Sequence, residues 1–458
     1  MKILIVFFVC VLKQTSGVIY YLNETEYDRL PPLFKLDEFY PCLRRPGDRY
    51  CYVTAKLTAN TSNELFHIIQ EYSANNITHY DHNEIHWGVC VTKSCRQHLE
   101  NHTDANTALE ACLNSSLEKT HQLQARLVED QVYCTEFGET VPIDNGDIIV
   151  ATVLVVILTL NIFGSFYDFC FITEKSVAAR VLLCFSVKRN WKRLSAPSGE
   201  GPEPRLRRLK MFNGVKSFTT FLVVMGHSPM AALITSNNTH FIELSYYDPI
   251  FHIFHNGNLI VQSFFMMSGF LLAFNLLVVE EKVKLKWNKF PKWIMLRWMR
   301  LTPPYAAVLA VVATWMRRFG NGPMWQTAVG VEVDACRRDW YYHLLYVNDY
   351  VDYSQCMSHT WYLAADFQLT IVGLLIFSCL RSWRARKIAI AITFIIGVIT
   401  PAAHTYFQNL SPILILAPEV ARHYFVEDPT FNNLYKRGHT NMVCYAWVWP
   451  SECGSTSS

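Results

Sequence analysis

The chain has 458 residues, 51% of them hydrophobic and 17% charged, with a net charge of +3. So little charge at this length excludes an ordinary soluble domain, and the small net charge gives no basic field for nucleic acid. The 14 cysteines form no CxxC pair and no GxGxxG fingerprint is present, so neither a zinc module nor a dinucleotide site is expected.

Residues 1–17 place one lysine ahead of a short apolar run and small residues at Thr15, Ser16 and Gly17. This pattern reads as a signal peptide, too short for a permanent span. Residues 18–147 then hold six cysteines, Cys42, Cys51, Cys90, Cys95, Cys112 and Cys134, and five glycosylation sequons at Asn23, Asn60, Asn76, Asn101 and Asn114. An even cysteine count beside clustered sequons predicts a lumenal or extracellular disulfide domain, its connectivity left open. Helical periodicity over Ser62–Ser73 and Ala105–Leu127 predicts that this domain is α-rich.

Six later segments are apolar enough to span a bilayer: Ile148–Phe169, Val215–Ile234, Leu259–Val279, Leu301–Trp315, Trp361–Leu380 and Ile388–Tyr406, the fourth being short unless it starts near Trp293. The first, over 148–170, reads as a tether for the cysteine-rich domain, and the basic stretch 171–212 as its linker, with a Pro/Gly-rich piece at Ala196–Pro204. Thr173–Phe212 carries ten Lys/Arg against three acids, and basic residues recur over Glu280–Arg300 and Arg381–Lys387. The positive-inside rule makes these loops cytoplasmic. The alternate loops carry sequons at Asn237 and Asn409 and a candidate disulfide, Cys336 with Cys356. The expected architecture is therefore a mainly α, polytopic helical bundle in a secretory-pathway membrane, plasma membrane or endoplasmic reticulum, with its amino-terminal domain outside.

His227 sits deep in the second apolar segment, roughly 20 Å from its cytoplasmic start, where a titratable side chain is costly and either serves chemistry in a watery cavity or bonds to a neighbouring helix. Imidazole is suited to proton transfer near neutral pH. Arg297 and Arg300, three apart at the mouth of the fourth segment, suit phosphate, with Pro303 and Pro304 expected to start its helix. Asp366, just inside the fifth segment, is a candidate orienter of His227. Ser268 and Gly269 are small residues that permit close helix packing.

In this order, Gly214-Val-Lys216 with His227, Phe264–Phe270, Arg297–Tyr305 and Trp361–Asp366 resemble the motifs of the acyltransferase-3 superfamily. Trp87–Cys95 is similar to the amino-terminal domain of its animal "nose resistant to fluoxetine" branch. The resemblance implies a partial acyltransferase domain over 213–435. It implies transfer of an acyl group from cytoplasmic acyl-CoA, a co-substrate with no bound cofactor, to a hydroxyl acceptor on the far side. His227 would be the general base, Asp366 its orienter, and Lys216, Arg297, Arg300 and Tyr305 would contact the acyl donor, with Ser268, Gly269 and Trp361 packing the site. Lys216 and Gln262 depart from the family's usual Arg and Asp. A second expectation is non-enzymatic uptake of lipid or another hydrophobic small molecule by a protein surrounded by membrane lipids. The family continues through further spans, so a shortened form is expected, with 436–458 an atypical tail.

Overall fold

The computed structural model describes residues 18–449 except 61, 103, 172–175, 197–208, 210, 229, 253–256 and 284–286. The expected signal peptide, Pro229 and most of the Ala196–Pro204 piece lie outside the described residues.

The cysteine-rich domain has the expected helices and, in addition, a sheet that the residue pattern does not suggest. Strands β1 (Phe34–Leu36), β2 (Arg49–Thr58), β3 (Glu84–Cys90) and β4 (Gln124–Glu136) form a sheet in the order β1-β3-β2-β4. β2 runs antiparallel to both neighbours, and β1 is parallel to β3. The strands are hard to see in the sequence because β2 is covered on both faces from Tyr50 to Ala55, so no apolar–polar alternation develops. Helices α1 (Glu64–Ser73) and α2 (Ala105–His121) pack on this sheet. Leu109, Leu113 and Leu117 of α2 are spaced by single turns and reach Val53, Leu57 and Trp87. Asn63 and Asp104 cap the two helices by accepting from Phe66 and Thr107 amides. Helix α2 stops at His121, so the last part of the expected Ala105–Leu127 helix is strand instead.

Three disulfides fix the connectivity that spacing left open: Cys42–Cys90, Cys51–Cys134 and Cys95–Cys112. Cys51–Cys134 ties β2 to β4 at paired positions. The later pair, Cys336–Cys356, is also bonded. Of the sequon asparagines, Asn114 is half-buried and its side-chain oxygen accepts from the Ala125 amide; the other six are exposed.

The membrane part begins with α3 (Asn145–Cys170), followed by α4 (Val177–Leu183) and α5 (Val187–Ser195). Then come α6 (Met211–His227), α7 (Met230–Thr235), α8 (Thr239–Ser245), α9 (Gly257–Lys282) and α10 (Phe290–Thr314). The bundle is completed by α11 (Val331–Leu344), α12 (Trp361–Cys379), α13 (Trp383–Gln408) and the short α14 (Met442–Trp447). Four helical stretches, Asn145–Cys170, Gly257–Lys282, Ser358–Cys379 and Trp383–Gln408, are long and apolar enough to cross a membrane. The other two expected spans differ. The second breaks after His227, giving α6 and α7. The fourth has the earlier start that its short length calls for: Pro291 lies in the first turn of α10, while Pro303 and Pro304, expected at the helix start, sit inside the helix. The arginines are thus within α10, one and two turns before those prolines.

The described part of the tail, 436–449, is folded into the bundle. Residues 438–449 fold as a 3₁₀ turn and α14, wedged between α9, α12 and α13. Tyr445 and Trp449 are each 1% exposed. This wedge requires Gly269: a β-carbon there would collide with the Tyr445 carbonyl. The Trp449 indole N–H donates to the Gly269 carbonyl at 3.2 Å.

The cysteine-rich domain grips the loop between α7 and α9. Glu243 of α8, 1% exposed, accepts from the Tyr72 hydroxyl (2.8 Å) and the Tyr80 amide (3.0 Å) and lies 2.8 Å from His82 Nε2. The Tyr80 hydroxyl donates to the Leu233 carbonyl at 3.0 Å. Burial pushes the Glu243 carboxyl up, but His82 and the amide of Tyr80 outweigh it and hold it below its usual range. At the start of α3, Asp147 pairs with Arg318 (2.9 Å) and Arg337 (2.7 Å), which fastens α3 to the 3₁₀ turn after α10 and to α11.

Candidate functional site

His227 is the last residue of α6, and its ring is exposed. Its Nδ1 lies 2.8 Å from the Val223 carbonyl, one turn back. A carbonyl oxygen only accepts, so Nδ1 carries the proton and Nε2 is left with the lone pair. The helix itself therefore sets the tautomer a general base needs. The neighbouring ring is His359, whose centroid lies 6.4 Å away in an edge-on arrangement. His359 sits in the turn that leads into α12, two residues before Trp361.

Asp366 is not beside His227. It pairs with the Arg297 guanidinium, bringing α10 and α12 together. The Asp366 side chain is 9% exposed and that of Arg297 29%. Arg297 Nε and Asp366 Oδ1 are buried without a hydrogen-bond partner among the described residues, so this ion pair has capacity for further polar contacts. Arg300 is exposed and Lys216 half-buried. Two turns along α10, the Tyr305 hydroxyl lies 2.8 Å from Thr360 Oγ1 and 2.7 Å from His343 Nδ1. Burial pushes the His343 imidazole down to about 4. Tyr305 is thus committed to holding the entrance of α12 through residues adjacent to His359.

Two stations result. One is His227 with His359, at the level of Tyr305 and Thr360. The other is Arg297 with Asp366, roughly 12 Å along α10 towards the basic loops, from eight residues at helical rise. Trp361 joins them: it is buried, packs at a tilt against the rings of Phe265 of α9 and Tyr435 (centroids 6.2 and 4.9 Å), and begins the helix that carries Asp366. Ser268 and Gly269 lie on α9 against α14, away from the two histidines in contact terms, so their part is packing of the tail.

A separate cavity of about 620 Å³ lies between α9, α13 and the residues before α14. Its walls include Leu414, Leu434 and Pro401 with Gln262, Asn441 and Asn258, and among the described residues no charged side chain lines it. Gln262 donates to Asn441 Oδ1 at 2.8 Å, while its own Oε1 is buried without a partner among the described residues. His227 is not among its lining residues.

Sequence reasoning missed His359 and His343 as neighbours of the site, although His359 stands in the same short segment as Trp361 and Asp366. Nothing in the residue pattern distinguishes it from a loop histidine. Among the described residues, no group of three or more His, Cys, Asp or Glu could hold a metal ion.

Residues 210–420 match the family described as an acyltransferase domain. The stretch contains both stations. The chain is also similar to "Nose resistant to fluoxetine protein 6" of Caenorhabditis elegans, 24% identical over 311 residues, covering 62% of this chain and 36% of that protein. It thus spans little more than a third of the length of that curated relative. No solved structure matches.

Proposed function

We propose, from the premise that the chain is an acyltransferase-3 family protein of the nose-resistant-to-fluoxetine type, that it moves an acyl group from acyl-CoA to a hydroxyl acceptor across the membrane. The chain is acyltransferase-like and helical, with apolar helices of spanning length. The finer reading rests on one observation: Nδ1 of His227 donates to the Val223 carbonyl, so Nε2 is the basic nitrogen.

In this reading the acceptor hydroxyl approaches Nε2 from the side that carries the disulfides. His227 takes the hydroxyl proton as the oxygen attacks the thioester carbonyl. The thiolate of CoA leaves towards the basic side and takes a proton from water there, while His227 returns the proton it took to water on its own side. Acyl-CoA enters from the basic loops, with Arg300 and Lys216 the donors for its phosphates. Arg297 is already neutralised by Asp366, so it stiffens the α10–α12 contact and offers its remaining N–H to the donor. The test is sided transfer. Proteoliposomes are given acyl-CoA labelled in the acyl group, and label is sought on a hydroxyl acceptor in the opposite compartment. Label that stays on the donor side, or transfer that survives His227→Ala, contradicts the reading.

The 620 Å³ cavity favours a second reading, binding of an uncharged hydrophobic molecule without chemistry. Its volume suits a small ligand, and an apolar wall with a few amides is the usual make-up of such sites. Uptake of a hydrophobic compound that persists in His227→Ala but is lost in Gln262→Leu supports this reading over the first.

A further inference from the structure

Helix α5 follows the first span on its basic side and is nine residues long, Val187-Lys-Arg-Asn-Trp-Lys-Arg-Leu-Ser195. At helical spacing, Val187, Trp191 and Leu194 fall in a sector of roughly 60°, and Lys188, Arg189, Lys192 and Arg193 occupy the opposite side. Among the described residues the apolar stripe is left largely uncovered: Val187 is 57% exposed, Trp191 67% and Leu194 79%. Lys188, Lys192 and Arg193 are exposed as well.

Its position is fixed. Ser186 caps the helix by accepting from the Arg189 amide (3.3 Å), and its hydroxyl donates to Asp168 Oδ2 at 2.9 Å. Arg189 Nε donates to Asp168 Oδ1 at 2.6 Å, and the Val187 amide donates to Ser165 Oγ at 3.0 Å. Ser165 and Asp168 lie in the last two turns of α3, the first span, which ends at Cys170. The start of α5 is therefore pinned at the depth where apolar α3 gives way to water. An exposed Trp and Leu are unfavourable in water at that level and favourable in the interfacial zone of a bilayer. A cluster of Lys and Arg next to a span is attracted to anionic headgroups.

We propose that α5 is a lipid-binding helix that lies on the leaflet at the basic side, inserting Trp191 and Leu194 while Lys188, Lys192 and Arg193 bind the phosphates of anionic phospholipids. Asp168 neutralises Arg189 and holds the helix at the correct height, leaving three cations for the lipid. The proposal does not depend on acyl transfer, so it can stand or fall separately from that reading.

The full chain is reconstituted in nanodiscs of phosphatidylcholine with or without bromine on the acyl chains. Trp191 emission is taken as the difference between wild type and Trp191→Phe. Bromination is expected to reduce that emission by about half or more, because the indole would sit among acyl chains; undiminished emission overturns insertion. In a second arm, the chain is extracted with its surrounding lipid from membranes mixing phosphatidylcholine and phosphatidylserine. The wild type is expected to retain phosphatidylserine above its bulk share, and K188Q/K192Q/R193Q to lower that excess about twofold or more. An excess unchanged in the triple variant, or one abolished by millimolar inorganic phosphate, overturns the lipid-headgroup assignment.

Discussion

Arg297 of α10 donates to the Asp366 carboxylate of α12, and this pair ties the two helices that carry the most polar motifs of the bundle. His227, which sequence spacing matched with Asp366, instead takes its orientation from the Val223 carbonyl of its own helix. The difference has a physical origin. A carboxylate within an apolar helix seeks the strongest available countercharge, and a guanidinium on the adjacent helix, with its paired donors, satisfies it better than an imidazole.

Breaking the pair from either side leaves one charge buried. Asp366→Asn and Arg297→Met are each expected to cost about 3 kcal/mol or more. The double change is expected to recover much of the loss. Thermal unfolding of the three variants in detergent measures this, and additive losses would show that the two side chains do not act on each other.

The wedge formed by α14 predicts a steric effect at Gly269. Gly269→Ala places a methyl against the Tyr445 carbonyl, and overpacking of this kind costs about 1–3 kcal/mol. Trp449→Ala, at a side chain 1% exposed, empties part of the same core, and such truncations cost about 3–5 kcal/mol. Increased hydrogen exchange over residues 438–449 in both variants checks the account; unchanged exchange would mean that the tail is not held there.

Glu243 predicts coupling between the cysteine-rich domain and the bundle. Glu243→Ala deprives His82, Tyr72 and the Tyr80 amide of their acceptor, at a cost of about 3 kcal/mol. Protease sensitivity is expected to rise over residues 72–86 and 233–247, with the three disulfides still formed. Cleavage confined to one side of the contact would contradict a shared interface.

Acid is expected to weaken both the cysteine-rich domain, through His86, and the bundle, through His343. Burial pushes the His86 imidazole from 6.5 down to about 3, and His343 from 6.5 down to about 4. In that window the unfolded chain binds protons that the folded chain refuses, so stability falls as pH drops from 6.5 towards 4. The Glu243 carboxyl, held below its ordinary 4.5, adds a loss as pH falls further through its folded value. Melting temperature against pH measures the slope, and His86→Gln is expected to flatten it.

Much of this arrangement is legible in the residues. Apolar stretches of membrane length, basic loops, paired cysteines and the ordered motifs identify the bundle and its candidate polar groups, because lipid penalises every departure from apolarity. What stays hidden depends on through-space packing. β2 lacks alternation since both its faces are covered. The helical tail looks unlike a span because it is short and lies inside the bundle, where Tyr445 and Trp449 meet protein on all sides. His359 gains significance only because a turn brings it edge-on to His227. Glu243 has no motif at all; three donors from a distant part of the chain define it.

The central claim, that His227 is the base for acyl transfer, is tested most directly by following labelled acyl groups from acyl-CoA in membranes holding either the wild-type chain or His227→Ala at equal abundance. The account predicts a fall of about a hundredfold or more, the usual contribution of a positioned general base, with Asp366→Asn acting through stability instead. Transfer by His227→Ala at the wild-type rate would contradict it.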